Sequence, residues 1–251
     1  MTMSQRKARP ALAAWLVCFA FAAALLLLCT GTSPLYNGHD WTDANTYLTM
    51  GRGLLAGAVP YRDLFDHKGP LLYVIYALGA ALDPGGFAGV FCLQCLSLAI
   101  TLYGVFRLAL YLGSEPGPAL LCACALPLFL LSAGVYYLPD ALDYGGGSAE
   151  EFSLPLFSLS LWLTARGEGP EGWTLLALGG LAGCVAQIKF SLCLFWAGLL
   201  APHLLCLLFQ RRGRALARAL ALLAMGFALS WLPYLAYALR TGSLDDFWGA
   251  Y

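Results

Sequence analysis

Apolar residues run almost unbroken through this 251-residue chain, interrupted by short polar segments. A helix that crosses a bilayer needs about 17–25 mostly apolar residues. Runs of that length occur at 11–30, 87–112, 118–138, 150–166, 173–188, 190–210 and 215–239, and predict about seven crossings. The stretch from Trp173 to Phe209 is too long for one span, and Gln187-Ile188-Lys189 within it predicts a hairpin turn. The run from Pro70 to Leu82 is shorter and suits a re-entrant or interfacial helix. Before it, Tyr47, Met50, Gly51, Leu54 and Leu55 recur at helical spacing, which predicts an amphipathic helix lying in the membrane interface. The fold class is therefore all-α: a polytopic membrane protein with about seven transmembrane helices. Two juxtamembrane helices lie in its first outer loop, 31–86. Residues 1–251 read as a single membrane-embedded module, with no soluble domain, low-complexity segment or clear internal repeat. Gly179-Gly180-Leu181-Ala182-Gly183 offers a small-residue face for close helix packing.

Composition agrees with lipid as the solvent. The chain is 60% hydrophobic and 11% charged, with a mean hydropathy of +0.72, where a soluble domain carries about 25% charged residues. Net charge is zero, which leaves no nucleic-acid footprint. Arg6, Lys7 and Arg9 before the first apolar run resemble a signal peptide. The run is longer than a typical signal core and no small-residue cleavage site follows, so an uncleaved first span is expected. With the N-terminus in the cytoplasm and 70–82 not crossing, the basic residues gather on the cytoplasmic side, Arg211, Arg212, Arg214 and Arg218 among them. Most acids, Asp43, Asp66 and Glu151 included, fall on the other face. This obeys the positive-inside rule, which rests on the basic residues, and puts the C-terminus outside. The nine cysteines all lie in apolar runs. Cys92–Cys95 and Cys122–Cys124 have no polar ligand cluster around them and read as small apolar residues, with zinc or a disulfide as the alternative.

The polar residues concentrate in the outer loops. Asp40, Thr42 and Asp43 stand at the start of the first interfacial helix, where a carboxylate either caps the helix or performs chemistry. Tyr61-Arg62-Asp63-Leu64-Phe65-Asp66-His67-Lys68 packs five ionisable groups beside the membrane, His67 included, and charges at that depth tend to mark sites. Lys68 precedes Pro70, a residue suited to the first turn of a helix. An ammonium beside a helix N-terminus makes a phosphate cradle, although snorkelling or a salt bridge to Asp66 also accounts for it. In the next outer loop come Asp140, Asp143 and a glycine run. Ser148 and Glu151 then fit a capping box opening the fourth span. Lys189 is either a functional intramembrane cation or a cap on the hairpin. His39, His67 and His203 do not have metal-ligand spacing, and His203 reads as packing within a span. No hydrolase, zinc-protease or nucleotide-binding fingerprint is present.

The ordered set resembles the GT-C superfamily of membrane glycosyltransferases, in particular protein O-mannosyltransferase-like enzymes and the lipid A aminoarabinose transferase. Asp43, Tyr47, Arg52, Gly57 and Lys68-Gly69-Pro70 follow the order of that family's first outer loop, and Glu150, Glu151 and Lys189 occupy matching places. The resemblance covers essentially the whole chain and corresponds to the family's N-terminal module. Many members have Asp-Glu where this chain has Asp43-Ala44. Members also continue into further spans, so the chain is expected to be incomplete at its C-terminus.

The resemblance implies transfer of a sugar from a polyprenyl-phosphate donor to an acceptor, with inversion, at the extracytoplasmic face of the cell membrane. Asp43 would be the base. Lys68, with Arg52 and Lys189, would bind the donor phosphate. Glu150, Glu151, Asp40, Tyr47, Asp66 and His67 would orient the acceptor or the loop. No protein metal site is implied, and a divalent metal is left open as a cofactor. Expected partners are the donor lipid, membrane lipid and an unidentified acceptor, without nucleic acid. The competing readings are a transporter or flippase component, which usually shows repeats and broken mid-membrane helices, and an inactive truncated transferase module.

Overall fold

In a computed structural model the described residues are 3–36, 39, 41–132, 145–166 and 170–251. Their regular elements are all helices, with one isolated bridge pair, Pro60 with Leu64, among the described residues. The elements are α1 (Met3–Cys29), α2 (Thr42–Leu55), α3 (Pro70–Leu82), α4 (Ala88–Tyr111), α5 (Pro116–Ser132), α6 (Ala149–Ala165), α7 (Trp173–Ala186), a 3-10 turn (Phe190–Cys193), α8 (Leu194–Phe209), α9 (Gly213–Thr241) and α10 (Leu244–Ala250). Helices suit the apolar runs because each helical segment satisfies its own amides, which is what crossing a bilayer requires. Four helical stretches among the described residues are long and apolar enough to cross a membrane: Leu12–Cys29, Ala88–Tyr111, Phe190–Phe209 and Gly213–Thr241. Of the other expected spans, α6 and α7 are helices of 17 and 14 residues, and α5 is helical over its described residues up to Ser132, the rest of that expected span lying outside the described residues. α3 is a 13-residue helix, as its short apolar run suggests.

The chain divides into two compact units. The first comprises 1–45 and 78–158, the second 46–77 and 159–251. In the first unit, α1 buries Ala14, Cys18, Ala22 and Leu26, four positions spaced one helical turn apart. Three of them are small, which lets the α1 backbone come close to its neighbours. They face Cys95, Leu98, Leu102 and Phe106 of α4 and Ala119 and Ala123 of α5. All nine cysteines carry free thiols, and Cys18 and Cys95 pack here as small apolar side chains. At the end of α3, Gly79 lies against Val90, and the Gly89 backbone lies against the Gly79 carbonyl.

The second unit is organised by α7 and α9. A Cβ on Gly179 would strike the Leu223 carbonyl, and one on Gly226 would strike the Leu176 carbonyl. The glycine face of α7 thus meets a glycine of α9 in a close crossing that brings the two backbones into dispersion contact. The expected hairpin is present. α7 ends at Ala186, Gln187 is its C-cap, and the chain restarts at Phe190. The Gln187 side chain closes the turn by donating to the Ser230 carbonyl at 3.0 Å.

Candidate functional site

In the second unit, α2 buries Tyr47, Leu48, Met50 and Gly51. Tyr47 packs edge-on against Tyr76 of α3, with ring centroids 5.4 Å apart. Gly51 lies against the backbone of Tyr76 and Ala77 with no room for a Cβ. The predicted amphipathic stripe is therefore real at its N-terminal end, whereas Leu55 is exposed.

The segment between α2 and α3 folds as two consecutive turns. In the first, the Tyr61 amide donates to the Leu64 carbonyl at 2.7 Å, and Asp63 Oδ2 accepts from the Val59 amide at 2.7 Å. The Val59 amide, then Arg62, holds the Asp63 carboxyl below its ordinary range. Tyr61 adopts φ 70°, a left-handed conformation that costs a non-glycine residue energy. The return is a hydroxyl that donates to the Lys68 carbonyl at 2.6 Å. Burial, then the neighbouring Tyr234, pushes the Tyr61 phenol far above its ordinary range, so it stays a donor.

The second turn contains Asp66, His67 and Lys68. Asp66 and Lys68 are buried and His67 is exposed. Asp66 Oδ1 accepts from the His67 amide at 2.8 Å and lies 3.3 Å from His67 Nδ1. The Tyr73 hydroxyl accepts from the Lys68 amide at 3.1 Å and faces Asp66 Oδ2 at 3.1 Å. Lys68 Nζ lies 2.9 Å from His67 Nε2 and 5.8 Å from the centre of the Tyr47 ring. With Nδ1 protonated toward Asp66, Nε2 accepts from the ammonium, which gives an ordered chain Asp66–His67–Lys68. Asp66 therefore engages His67 and Tyr73, and the simple Asp66–Lys68 salt bridge is not formed.

This turn is joined to the hairpin between α7 and α8. The Gly69 amide donates to the Ile188 carbonyl at 3.1 Å, and the Leu71 amide donates to the Gln187 carbonyl at 2.9 Å. A Cβ on Gly69 would collide with the Gln187 backbone, so glycine is what permits the approach. Lys68 and Lys189 each adjoin this backbone pair, and two of the candidate cations are thus placed on touching turns. Lys189 is half-buried. Arg52 is exposed in the last turn of α2. Beside the paired turns, Leu54, Pro60, Pro70, Leu71, Val74 and Tyr234 help line a mostly apolar hollow of 440 Å³.

In the first unit, Asp43 occupies the first turn of α2 and is half-buried. Asn45 anchors the chain just before it, donating from its side chain to the His39 carbonyl at 2.6 Å and to the Trp41 carbonyl at 3.1 Å. Asp40, Asp140 and Asp143 lie outside the described residues. The expected capping box is formed, since the Glu151 amide donates to Ser148 Oγ at 3.2 Å and Glu151 Oε1 accepts from the Ser148 amide at 3.2 Å. Glu151 is only 1% exposed, whereas Glu150 is half-buried. The second oxygen of Glu151 accepts from the Gln94 side chain, and Gln94 in turn accepts from the Thr32 hydroxyl. The Gly31 amide donates to the Gly145 carbonyl at 2.9 Å, and His39 Nε2 lies 3.1 Å from the Gly146 carbonyl. Glu151 and Gln94 therefore tie together α4, α6 and the chain after α1. Sequence reasoning missed Gln94, although a glutamine within an apolar span is the usual sign of an interhelical hydrogen bond. It also missed the Tyr61 and Tyr73 hydroxyls, because nothing local in the sequence reveals where they donate.

Among the described residues no group of three or more His, Cys, Asp or Glu side chains could hold a metal ion. Comparison with protein-family models, with curated proteins and with solved structures returns no match.

Proposed function

We propose that the chain is the membrane-embedded part of a glycosyltransferase that takes sugar from a polyprenyl-phosphate donor at the extracytoplasmic face, with seven crossings and the first outer loop outside. The observation that supports it best is the joining of the Lys68-Gly69 turn to Gln187-Ile188, which sets Lys68 and Lys189 on adjacent turns beside an apolar hollow. Two ammonium groups next to an apolar surface suit a ligand with an anionic head and a hydrocarbon tail.

The chemistry follows from the leaving group. A lipid phosphate departs as a stable anion, so it needs charge stabilisation more than protonation. Lys68 is assigned that role, with Lys189 and Arg52 assisting. Asp43 is assigned as the base by its place in the resemblance. It removes the acceptor proton as the acceptor oxygen attacks the anomeric carbon, and the bond from that carbon to the phosphate oxygen breaks with inversion. Asp66, His67 and Tyr47 hold Lys68, Glu151 holds the loop, and Glu150 and Asp40 are assigned to the acceptor side.

The test uses the purified full chain in vesicles, supplied with a radiolabelled polyprenyl-phosphate sugar and an acceptor mixture. Wild-type protein should release label from the lipid. Asp43→Asn should lower release by at least about a hundredfold, the lower range for loss of a general base, while donor binding persists. Full activity in that variant would remove Asp43 from the mechanism, and solute uptake without transfer would favour a transporter.

A further inference from the structure

At the opposite ends of the helices from the α7–α8 hairpin, the second unit has another hollow, of 520 Å³, which the proposed transfer does not use. It lies where α7 begins, α8 ends and α9 begins. Trp173, His203 and Leu207 line it together with three arginines, Arg212, Arg214 and Arg218. Among the described residues none of these guanidinium groups is within 4.0 Å of a carboxylate. Glu171 also lines the hollow, so among the described residues three cationic side chains face one anionic one.

The backbone adds to the positive field. α9 is a 29-residue helix that starts at Gly213 with no side-chain cap, so its N-terminal amides point toward this end. The opposing C-terminal end of α8 is already occupied, because its Cys206, Leu207 and Leu208 carbonyls accept from the amides of Gln210, Arg212 and Arg211. Apolar side chains, Leu175, Leu207 and Leu222 among them, continue the lining along the helices. Trp173 is 63% exposed beside them, the amphipathic side chain usual at headgroup level.

We infer that this hollow is a binding site for the phosphate ester of an anionic membrane phospholipid. The arginines and the α9 amides take the phosphate, and the apolar wall takes the start of the acyl chains. A free phosphate would satisfy the same arginines but would make no use of the apolar wall. Basic residues at a membrane surface also attract anionic lipid without any site, and Arg211 separates the two cases. It belongs to the same turn, carries the same charge and does not line the hollow.

The experiment holds the full chain in micelles containing equal amounts of phosphatidylcholine and phosphatidylglycerol and counts bound lipids by native mass spectrometry. Wild-type protein should retain phosphatidylglycerol selectively. Arg212→Gln, Arg214→Gln and Arg218→Gln should each weaken that retention about fivefold, and Arg211→Gln should leave it unchanged. All four positions are exposed, and matching elution from a sizing column verifies that each variant folds. Equal losses in all four variants would overturn the inference in favour of a diffuse surface field. Retention unaffected by the three pocket variants would overturn it outright. Displacement of the lipid by millimolar inorganic phosphate would overturn the lipid assignment and leave a phosphate site.

Discussion

Gly69→Ala is expected to uncouple the two lysine-bearing turns. The added methyl group would meet the Gln187 backbone, which cannot rotate away as a side chain can. Overpacking of this kind costs about 3 kcal/mol, at the upper end of the usual range. The bonds from Gly69 to Ile188 and from Leu71 to Gln187 lie at the same place and would open with it. Unfolding of the purified protein in mixed micelles should show the loss. Donor-lipid retention should fall in Gly69→Ala as it does on removal of Lys68. Gly57→Ala serves as a contrast. Gly57 has open space around it but a φ of 90°, so its cost is conformational and local. Donor retention there should persist.

The second large effect concerns Glu151. Replacing it with leucine removes the carboxylate that accepts from the Ser148 amide and from Gln94. The capping contribution lost is about 1 kcal/mol, and each buried donor left without a partner costs about 1–3 kcal/mol. Together these predict a loss of at least about 3 kcal/mol, seen as a lower unfolding midpoint. Glu151→Gln keeps an acceptor oxygen and the shape, and should recover most of that loss. A double variant, Glu151→Leu with Gln94→Leu, should lose less stability than the sum of the two single losses, because the two side chains share one hydrogen bond. Equal stability of Glu151→Leu and wild-type protein would show that the network does not hold this unit together.

Much of the helical framework was legible because it depends on local pattern. Apolar run length gives α1, α4, α8 and α9. The polar interruption at Gln187-Ile188-Lys189 gives the hairpin. Ser148-x-x-Glu151 gives the cap, and Gly179 with Gly183 gives the packing face of α7. What it packs against, Gly226 of α9, was not legible, since an isolated glycine in an apolar run has no signature of its own. The same limit applies to the polar network. Gln94 and Glu151 stand 57 residues apart and the Gly69–Ile188 backbone pair stands still farther apart. Only tertiary structure brings them together. The sequence identified Lys68 and Lys189 as separate candidates. The close approach that Gly69 allows is what relates them.

The most direct test of the proposed function is the affinity of the full chain for a polyprenyl-phosphate sugar, measured by native mass spectrometry from mixed micelles. Wild-type protein should retain it selectively, Lys68→Met should bind at least about tenfold more weakly, as for loss of one charge-assisted phosphate contact, and adding Lys189→Met should weaken binding further. Undiminished binding in the double variant, or no selectivity over the dephosphorylated lipid in wild-type protein, would contradict the proposed function.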